Sequence, residues 1–366
     1  MRVKCDGQRV KSGRTRAIWQ MVLCALLLMP SVTACEHREL VDDTDMHYVR
    51  IYMDENIRNV TYGFYDETKE KPTYKTPEGV RVALCDPASG KVVTQKHLTE
   101  GGHDERGNYL HGYIYAAPGH YNLLAYNYDT EATHIADDYS YPRMTVYTNP
   151  IAESLKSRLQ SVRASETATR TGEVRYEPDH VFVASAEGIR AERTPMGDTL
   201  CTLSGEPFTA QSVTKTYYLQ VNVKGVEYVR SAVALITGMS GAVRLHDRSM
   251  LPEMESSIYF NLQNGLTKAR SGGETHVAYA SFNTFGKLPD VEGYIEITFE
   301  FNTTGGKVQT ETIRVTDLFE TTQVKEKQWI IIDKTIEITP PEGSTATGGL
   351  GPGVSEWQQV EGEITI

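Results

Sequence analysis

Apolar and polar residues alternate along much of the chain. Tyr217, Leu219, Val221 and Val223 alternate with Tyr218, Gln220, Asn222 and Lys224, and Ile295, Ile297, Phe299 and Phe301 with Tyr294, Glu296, Thr298 and Glu300. A period of two with one apolar face predicts a half-buried strand. The same reading predicts strands over residues 48–53, 80–85, 112–116, 121–126, 229–236, 257–262, 277–282 and 329–333. Asp86-Pro87-Ala88-Ser89-Gly90, Ala117-Pro118-Gly119 and Thr304-Gly305-Gly306 punctuate them as turns. Many short strands and few helices predict an all-β fold of antiparallel sandwiches.

One short helix is expected. Asn149 can cap it, Pro150 suits the first helical position, and Ile151, Leu155, Leu159 and Val162 share a face. That face should cover a sheet opening or pack across a loop. Residues 163–177 are polar and read as an exposed loop. Gly188, Pro195, Gly197, Gly205 and Pro207 mark a stretch without sustained period, which predicts one domain over 47–205 and a second over 206–366. A glycine-rich connection over 340–353 precedes a last alternation that ends at Ile364 and Ile366.

The start of the chain has the parts of a secretory signal. Lys4, Arg9, Lys11, Arg14 and Arg16 precede an apolar run from Ala17 to Met29, interrupted only by Gln20. Such a run is too short to span a bilayer, which takes about 20 residues. Val32-Thr33-Ala34-Cys35 closes it. That order resembles the lipobox of bacterial lipoproteins and implies a signal over 1–34, acyl chains such as palmitate on Cys35, and a tether over 35–46. The alternative is an ordinary signal peptide cut beside a chance cysteine.

Charge narrows the partners. The chain carries −11 overall; removing residues 1–34, with six Lys/Arg and one Asp, would leave −16. That disfavours nucleic acid or an anionic bilayer as a partner. Membrane attachment would then rest on the acyl chains at Cys35 in the outer membrane. Cys85 and Cys201 either pair in an oxidising envelope or serve as small apolar side chains in strands.

No constellation calls for catalysis. Gly238-Met239-Ser240-Gly241 lacks the second glycine of a nucleophile elbow, because Ala242 stands there. The run 348–353 fits neither the dinucleotide nor the phosphate-loop pattern. His97, His103 and His111 lie around Asp104 and Glu105 without metal-ligand spacing. The expectation is no catalytic residue, no cofactor and no metal. Tyrosine is more telling: there are 21, against 9 phenylalanines, and Tyr113, Tyr115, Tyr121, Tyr126, Tyr128, Tyr139 and Tyr141 crowd one region. A large ring with a polar tip serves both strand packing and binding faces. Either use fits, the second leaving room for a glycan- or protein-binding face.

Five segments carry a resemblance. They are Cys35-Glu36-His37-Arg38-Glu39-Leu40, the stretch from Pro118 to Glu131 (PGHYNLLAYNYDTE), Thr237-Gly238-Met239-Ser240-Gly241, Ser281-Phe282-Asn283-Thr284-Phe285-Gly286, and Pro352-Gly353-Val354-Ser355-Glu356-Trp357. In this order they resemble the fimbrillin-like lipoproteins of Bacteroidales, within a group defined by a domain of unknown function. The resemblance implies two tandem transthyretin-like β-sandwiches and a role in surface fimbriae or adhesion. It also implies export as a lipoprotein; Asp42-Asp43-Thr44-Asp45 looks like the signal that sends such lipoproteins to the outer face.

In polymerising members a trypsin-like protease removes the first strand, and a strand from the next subunit fills the groove. No single arginine here stands out for that cut: Arg50 lies in a predicted strand and Arg58 beyond it. The C-terminal segment, with Trp357, Val360, Ile364 and Ile366, either finishes its own second sandwich or leaves to complete a neighbour's first. The leading expectation is a lipid-anchored fimbrial subunit or adhesin that assembles with other fimbrial subunits by strand complementation. The competing one is a surface lipoprotein that binds host or bacterial glycans or proteins and never assembles.

Overall fold

The computed structural model describes residues 45–54, 76–128, 130–160, 172–193, 199–268, 273–289 and 294–342. Cys35, Arg58, Trp357, Val360, Ile364 and Ile366 lie outside them. The described chain is all-β. In the first half run β1 (Met46–Met53), β2 (Val80–Cys85), β3 (Val92–Leu98), β4 (Glu100–Asp104), β5 (Gly107–Tyr115), β6 (Gly119–Asn127), β7 (Thr133–Ala136), β8 (Thr145–Thr148), β9 (Glu173–Tyr176) and β10 (Phe182–Ala191). The second half holds β11 (Phe208–Ser212), β12 (Lys215–Lys224), β13 (Val229–Ser240), β14 (Ala242–Arg244), β15 (Glu255–Asn261), β16 (Gln263–Lys268), β17 (Glu274–Thr284), β18 (Glu296–Thr303), β19 (Val308–Arg314) and β20 (Trp329–Glu337). Every strand predicted within the described residues is present. Two short helices, α1 (Glu153–Lys156) and α2 (Thr322–Lys327), accompany them.

One eight-stranded sheet, in the order β3-β2-β6-β10-β11-β1-β5-β4, folds over so that β3 returns beside β5. Val49, Ile51, Val82, Leu84, Leu98, Ile114, Leu123 and Phe208 fill its interior, all 2% exposed or less. The second sandwich sets β16-β17-β12-β20 against β19-β18-β13-β15-β9. Leu219, Val221, Phe282 and Ile332 from one sheet meet Ile236, Ile258, Phe260 and Phe299 from the other. Phe260 and Phe282 stack across this core at 4.0 Å. Full burial of such a side chain contributes roughly 1.5–3 kcal/mol. Phe319 and Val324, around α2, close one end, and Thr321 caps α2 by accepting from the Val324 amide.

A three-stranded sheet, β14-β8-β7, joins the halves. Met144, Val146, Val243, Leu245 and Phe285 pack with Ala83, Cys85, Leu124, Tyr126 and Val183 from the outer face of the first sheet. The chain interleaves here. The division expected at 205/206 falls just before β11, which pairs with β10 and β1; β9, which precedes it, pairs with β15. Three pairings are parallel, β1 with β11, β12 with β20 and β15 with β9, each joining strands distant in sequence.

The helix differs from expectation. Asn149 does not cap it; its side chain meets His134 and its carbonyl accepts from the Tyr176 amide. Held in that bridge, the chain turns helical only at Glu153, for one turn. The apolar face is nevertheless used: Ile151, Leu155 and Leu159 pack on Val233, Leu235 and Tyr259, the outer side of a sheet. Residues 173–176, expected to be loop, form β9, and Arg175 is buried with its guanidinium on the Thr148 carbonyl and Glu173.

Candidate functional site

The strand nearest the expected tether is held by neighbours on both sides. β1 pairs with β5 over seven residues on one side and with β11 over three on the other. Val49 and Ile51 point inward and are fully buried. Tyr48, Arg50 and Tyr52 point to the other face. The pleat places them opposite Tyr113, His111 and Tyr109 of β5, so residues far apart in sequence form cross-strand rows.

Arg50 organises that face. Its Nη1 donates to Asp104 Oδ2 at 3.1 Å and to the Tyr52 hydroxyl at 3.0 Å, while Tyr52 donates to the same carboxylate oxygen at 2.6 Å. The guanidinium lies 4.5 Å from the Tyr109 ring centre and 5.6 Å from that of Tyr48. Hydrogen bonding by Tyr52 holds the Asp104 carboxyl below its ordinary range and the Arg50 guanidinium above its own. Tyr109 lies across the edge strand where β4 carries Gly102; a Cβ there would meet the ring at 2.4 Å, so only glycine admits this packing. Tyr48 and Tyr113 meet edge to face at 5.4 Å, and Tyr113 and Tyr115 are 40% and 42% exposed. The face runs into a cleft of about 470 Å³ at the end of β1, lined among others by Tyr52, Asp54, Arg106, Glu206 and Thr209.

The tyrosines that crowd the sequence do not stay together. Tyr113 and Tyr115 join this face; Tyr121 enters the first core with its hydroxyl on the Ala117 carbonyl. Tyr126 and Tyr141 pack at the junction, Tyr128 lies against His97, and Tyr139 is exposed. The other rings of the face, Tyr48 and Tyr52, sit some sixty residues upstream of Tyr109 and Tyr113; only the pairing of β1 with β5 brings them together.

The remaining candidates separate. His97 lies tilted against Tyr128, His103 meets Asn108, and His111 lies 3.9 Å from Glu100. Among the described residues no three metal-ligating side chains converge. Cys85 and Cys201 are both free thiols; Cys85 ends β2, fully buried, and burial pushes it up to about 11, while Cys201 lies in the loop before β11. Ser240 is buried and donates to the Ala242 carbonyl at 2.6 Å, beside a bulge that Gly238 makes with φ 73°. It is a structural serine in a strand.

The junction holds two perturbed groups missed from sequence. Glu177 lies between β9 and β10, and its Oε2 accepts from the Asn283 amide at 2.9 Å. Desolvation pushes it up to about 7, with Asp179 adding to the rise and the amide opposing it. Burial takes His180 down to about 4. Between them Asp179 Oδ2 accepts from the amides of Glu131, Ala132 and Thr133 at 2.7–3.0 Å, which pins the crossing.

Fold and site together define an all-β protein with an aromatic outer face and no assembled catalytic group among its described residues. The family described as domain of unknown function DUF5119 matches residues 34–261, and the chain belongs to it. The candidate fimbrium anchoring subunit Fim4B of Bacteroides ovatus is 24% identical over 359 residues, covering 92% of this chain and 94% of its own. The crystal structure of a candidate adhesin from Bacteroides ovatus matches at a TM-score of 0.53 with 24% identity, over 85% of this chain and 98% of that one. A candidate adhesin from Bacteroides thetaiotaomicron has a TM-score of 0.45 and 13% identity over 80% of this chain and 92% of its own.

Proposed function

We propose that the protein is a lipid-anchored fimbrial subunit of the cell surface, placed at the membrane end of its assembly. Cys35 carries the acyl chains that hold it in the outer membrane, more than one being needed for stable attachment. The observation that carries this reading is the position of β1. Ten residues separate Cys35 from Met46, and β1 is an interior strand bonded on both sides. Proteolytic loss of β1 would remove the anchor with it and uncover Val49, Ile51 and the faces they seal. A chain that remains attached therefore keeps its first sandwich complete.

Such a subunit joins its neighbour by giving a strand. The segment with Trp357, Val360, Ile364 and Ile366 is the donor, and an acceptor's incomplete sheet supplies the unpaired backbone groups. The naming of the Bacteroides ovatus relative as a fimbrium anchoring subunit supports the role, as does the likeness over nearly the full length of both chains. The role is structural, with other fimbrial subunits as partners and no reaction catalysed.

Intact cells treated with trypsin test the anchor. The wild-type chain is expected to stay in the membrane fraction with residues 46–53 still attached to the rest. Cys35→Ala is expected to lose fatty-acid labelling and leave that fraction. Membrane-bound wild type lacking β1, or normal labelling of the variant, would overturn the reading. Deleting residues 356–366 tests the donor: the truncated chain is expected to remain folded but to drop out of high-mass assemblies. If the deletion unfolds the second sandwich instead, the segment is a domestic strand and the donor role fails.

A further inference from the structure

We infer that the outer face of β1, β5 and β4, with the cleft at its end, is a binding site for a neutral oligosaccharide. The solvent side of a sheet ordinarily carries polar residues in alternation with the core. Here four tyrosines and a histidine take those positions, Tyr48, Tyr109, His111, Tyr113 and Tyr115, with Tyr52 on the same face but buried. Their arrangement is fixed before any ligand arrives. Gly102 lets Tyr109 lie on the strand, and Arg50 is clamped by Asp104 and Tyr52 against the rings. Rings held this way lose little freedom on binding, which favours affinity.

The charges choose the ligand class. Arg50 is paired with Asp104, and Arg106 lies 3.6 Å from Glu206. Glu100 adds a further carboxylate, so acid outnumbers base across face and cleft. A sialylated or uronic sugar, or an acidic peptide, would meet net repulsion. A neutral pyranose presents C–H faces that pack on tyrosine rings and hydroxyl edges that donate to carboxylates, the stronger kind of hydrogen bond. Glu206 and Thr209 offer acceptors in a cleft within the size range of small-ligand sites, about 300–1,000 Å³.

The test uses the detergent-solubilised full chain and calorimetric titration. The neutral probes are mannohexaose, xylohexaose, maltohexaose and lacto-N-neotetraose; the acidic probes are 3′-sialyllactose and tetragalacturonate. At least one neutral probe is expected to bind, and neither acidic probe. Tyr113→Ala and Tyr115→Ala are expected to weaken binding tenfold or more, Glu206→Gln severalfold, and Tyr113→Phe little, since the ring face is kept. Because Tyr113 and Tyr115 are exposed, melting of these variants should stay within a degree or two of wild type, which separates lost binding from lost fold. No binding of any neutral probe, preference for an acidic probe, or full affinity in Tyr113→Ala overturns the inference. The site does not rest on the anchoring role: Cys35→Ala protein should bind the same probe, so failure of one leaves the other standing.

Discussion

Val221→Asp is expected to abolish the cooperative unfolding of the second sandwich. Val221 is fully buried in β12, between Ala278 of β17 and Ile332 of β20, and it faces Ile258, Phe260 and Phe299 across the core. Losing the valine forfeits roughly 1.5–3 kcal/mol of burial. Placing a carboxyl there adds a polar group with no partner, a further cost of several kcal/mol whether it enters charged or takes up a proton. Together these approach the whole stability of a typical domain, about 5–15 kcal/mol. Val221→Ala, which leaves only a cavity, should cost about 2 kcal/mol and keep a sharp transition. Differential scanning calorimetry of both variants checks this. A Val221→Asp protein that melts within a degree or two of wild type would mean that the register of β12 is wrong.

The alternation that points to Val221 also shows what sequence makes legible and what it does not. Period two identifies the odd residues of β12 as a core face, and all four are buried. It says nothing against burial of the other face. Tyr218, Gln220 and Trp329 are 5% exposed or less, and Tyr218 donates to Gln220 while Tyr279 and Ile331 pack beside them. A strand between two neighbours can be covered on both sides, and its polar residues then pair with one another. Strands that escape the reading have physical reasons to do so. β19 (VQTETIR) and β16 (QNGLTK) are edge strands, half in water, with no apolar face to mark them. β10 carries a bulge between Ala186 and Ile189 that shifts its alternation by one place.

Long-range pairing is the other blind spot. That β11 lies beside β1 depends on closing a loop of more than 150 residues, and nothing local in Phe208–Ser212 encodes it. The same holds for the aromatic face. The tyrosine excess is visible in composition, but the cluster in sequence runs from Tyr113 to Tyr141, whereas the cluster in space takes Tyr48, Arg50 and Tyr52 from β1 and leaves Tyr121, Tyr126 and Tyr141 in cores. Arg50 illustrates the point: the sequence shows only an arginine within a predicted strand, and in the sheet it is bound by a carboxylate and three rings.

The junction between the sandwiches should show opposed titrations that single substitutions unmask. Glu177 stands at about 7 in the folded chain against an ordinary 4.5. Between those values the folded state holds a proton that the unfolded state has released, so its contribution to stability is full below pH 4.5 and is lost as pH rises through 7. His180 stands at about 4 against an ordinary 6.5. Its contribution is full above 6.5 and is lost as pH falls toward 4, because only the unfolded chain takes up the proton. Each effect is at most about 3 kcal/mol, at about 1.4 kcal/mol per pH unit of displacement. Over pH 4.5–6.5 they run in opposite directions and largely cancel in the wild type.

Glu177→Gln keeps an oxygen for the Asn283 amide and removes the charge. Relative to wild type it is expected to be stabilising by about 2 kcal/mol above pH 7.5, with the gain shrinking to nothing below pH 4.5. His180→Gln should behave in mirror image: its difference from wild type should move in its favour as the solution is acidified from 6.5 to 4. Urea unfolding of the three proteins at half-unit steps of pH reads both differences directly. A Glu177→Gln curve that runs parallel to wild type from pH 4.5 to 7.5 would show that the Glu177 carboxyl is solvated in the folded protein.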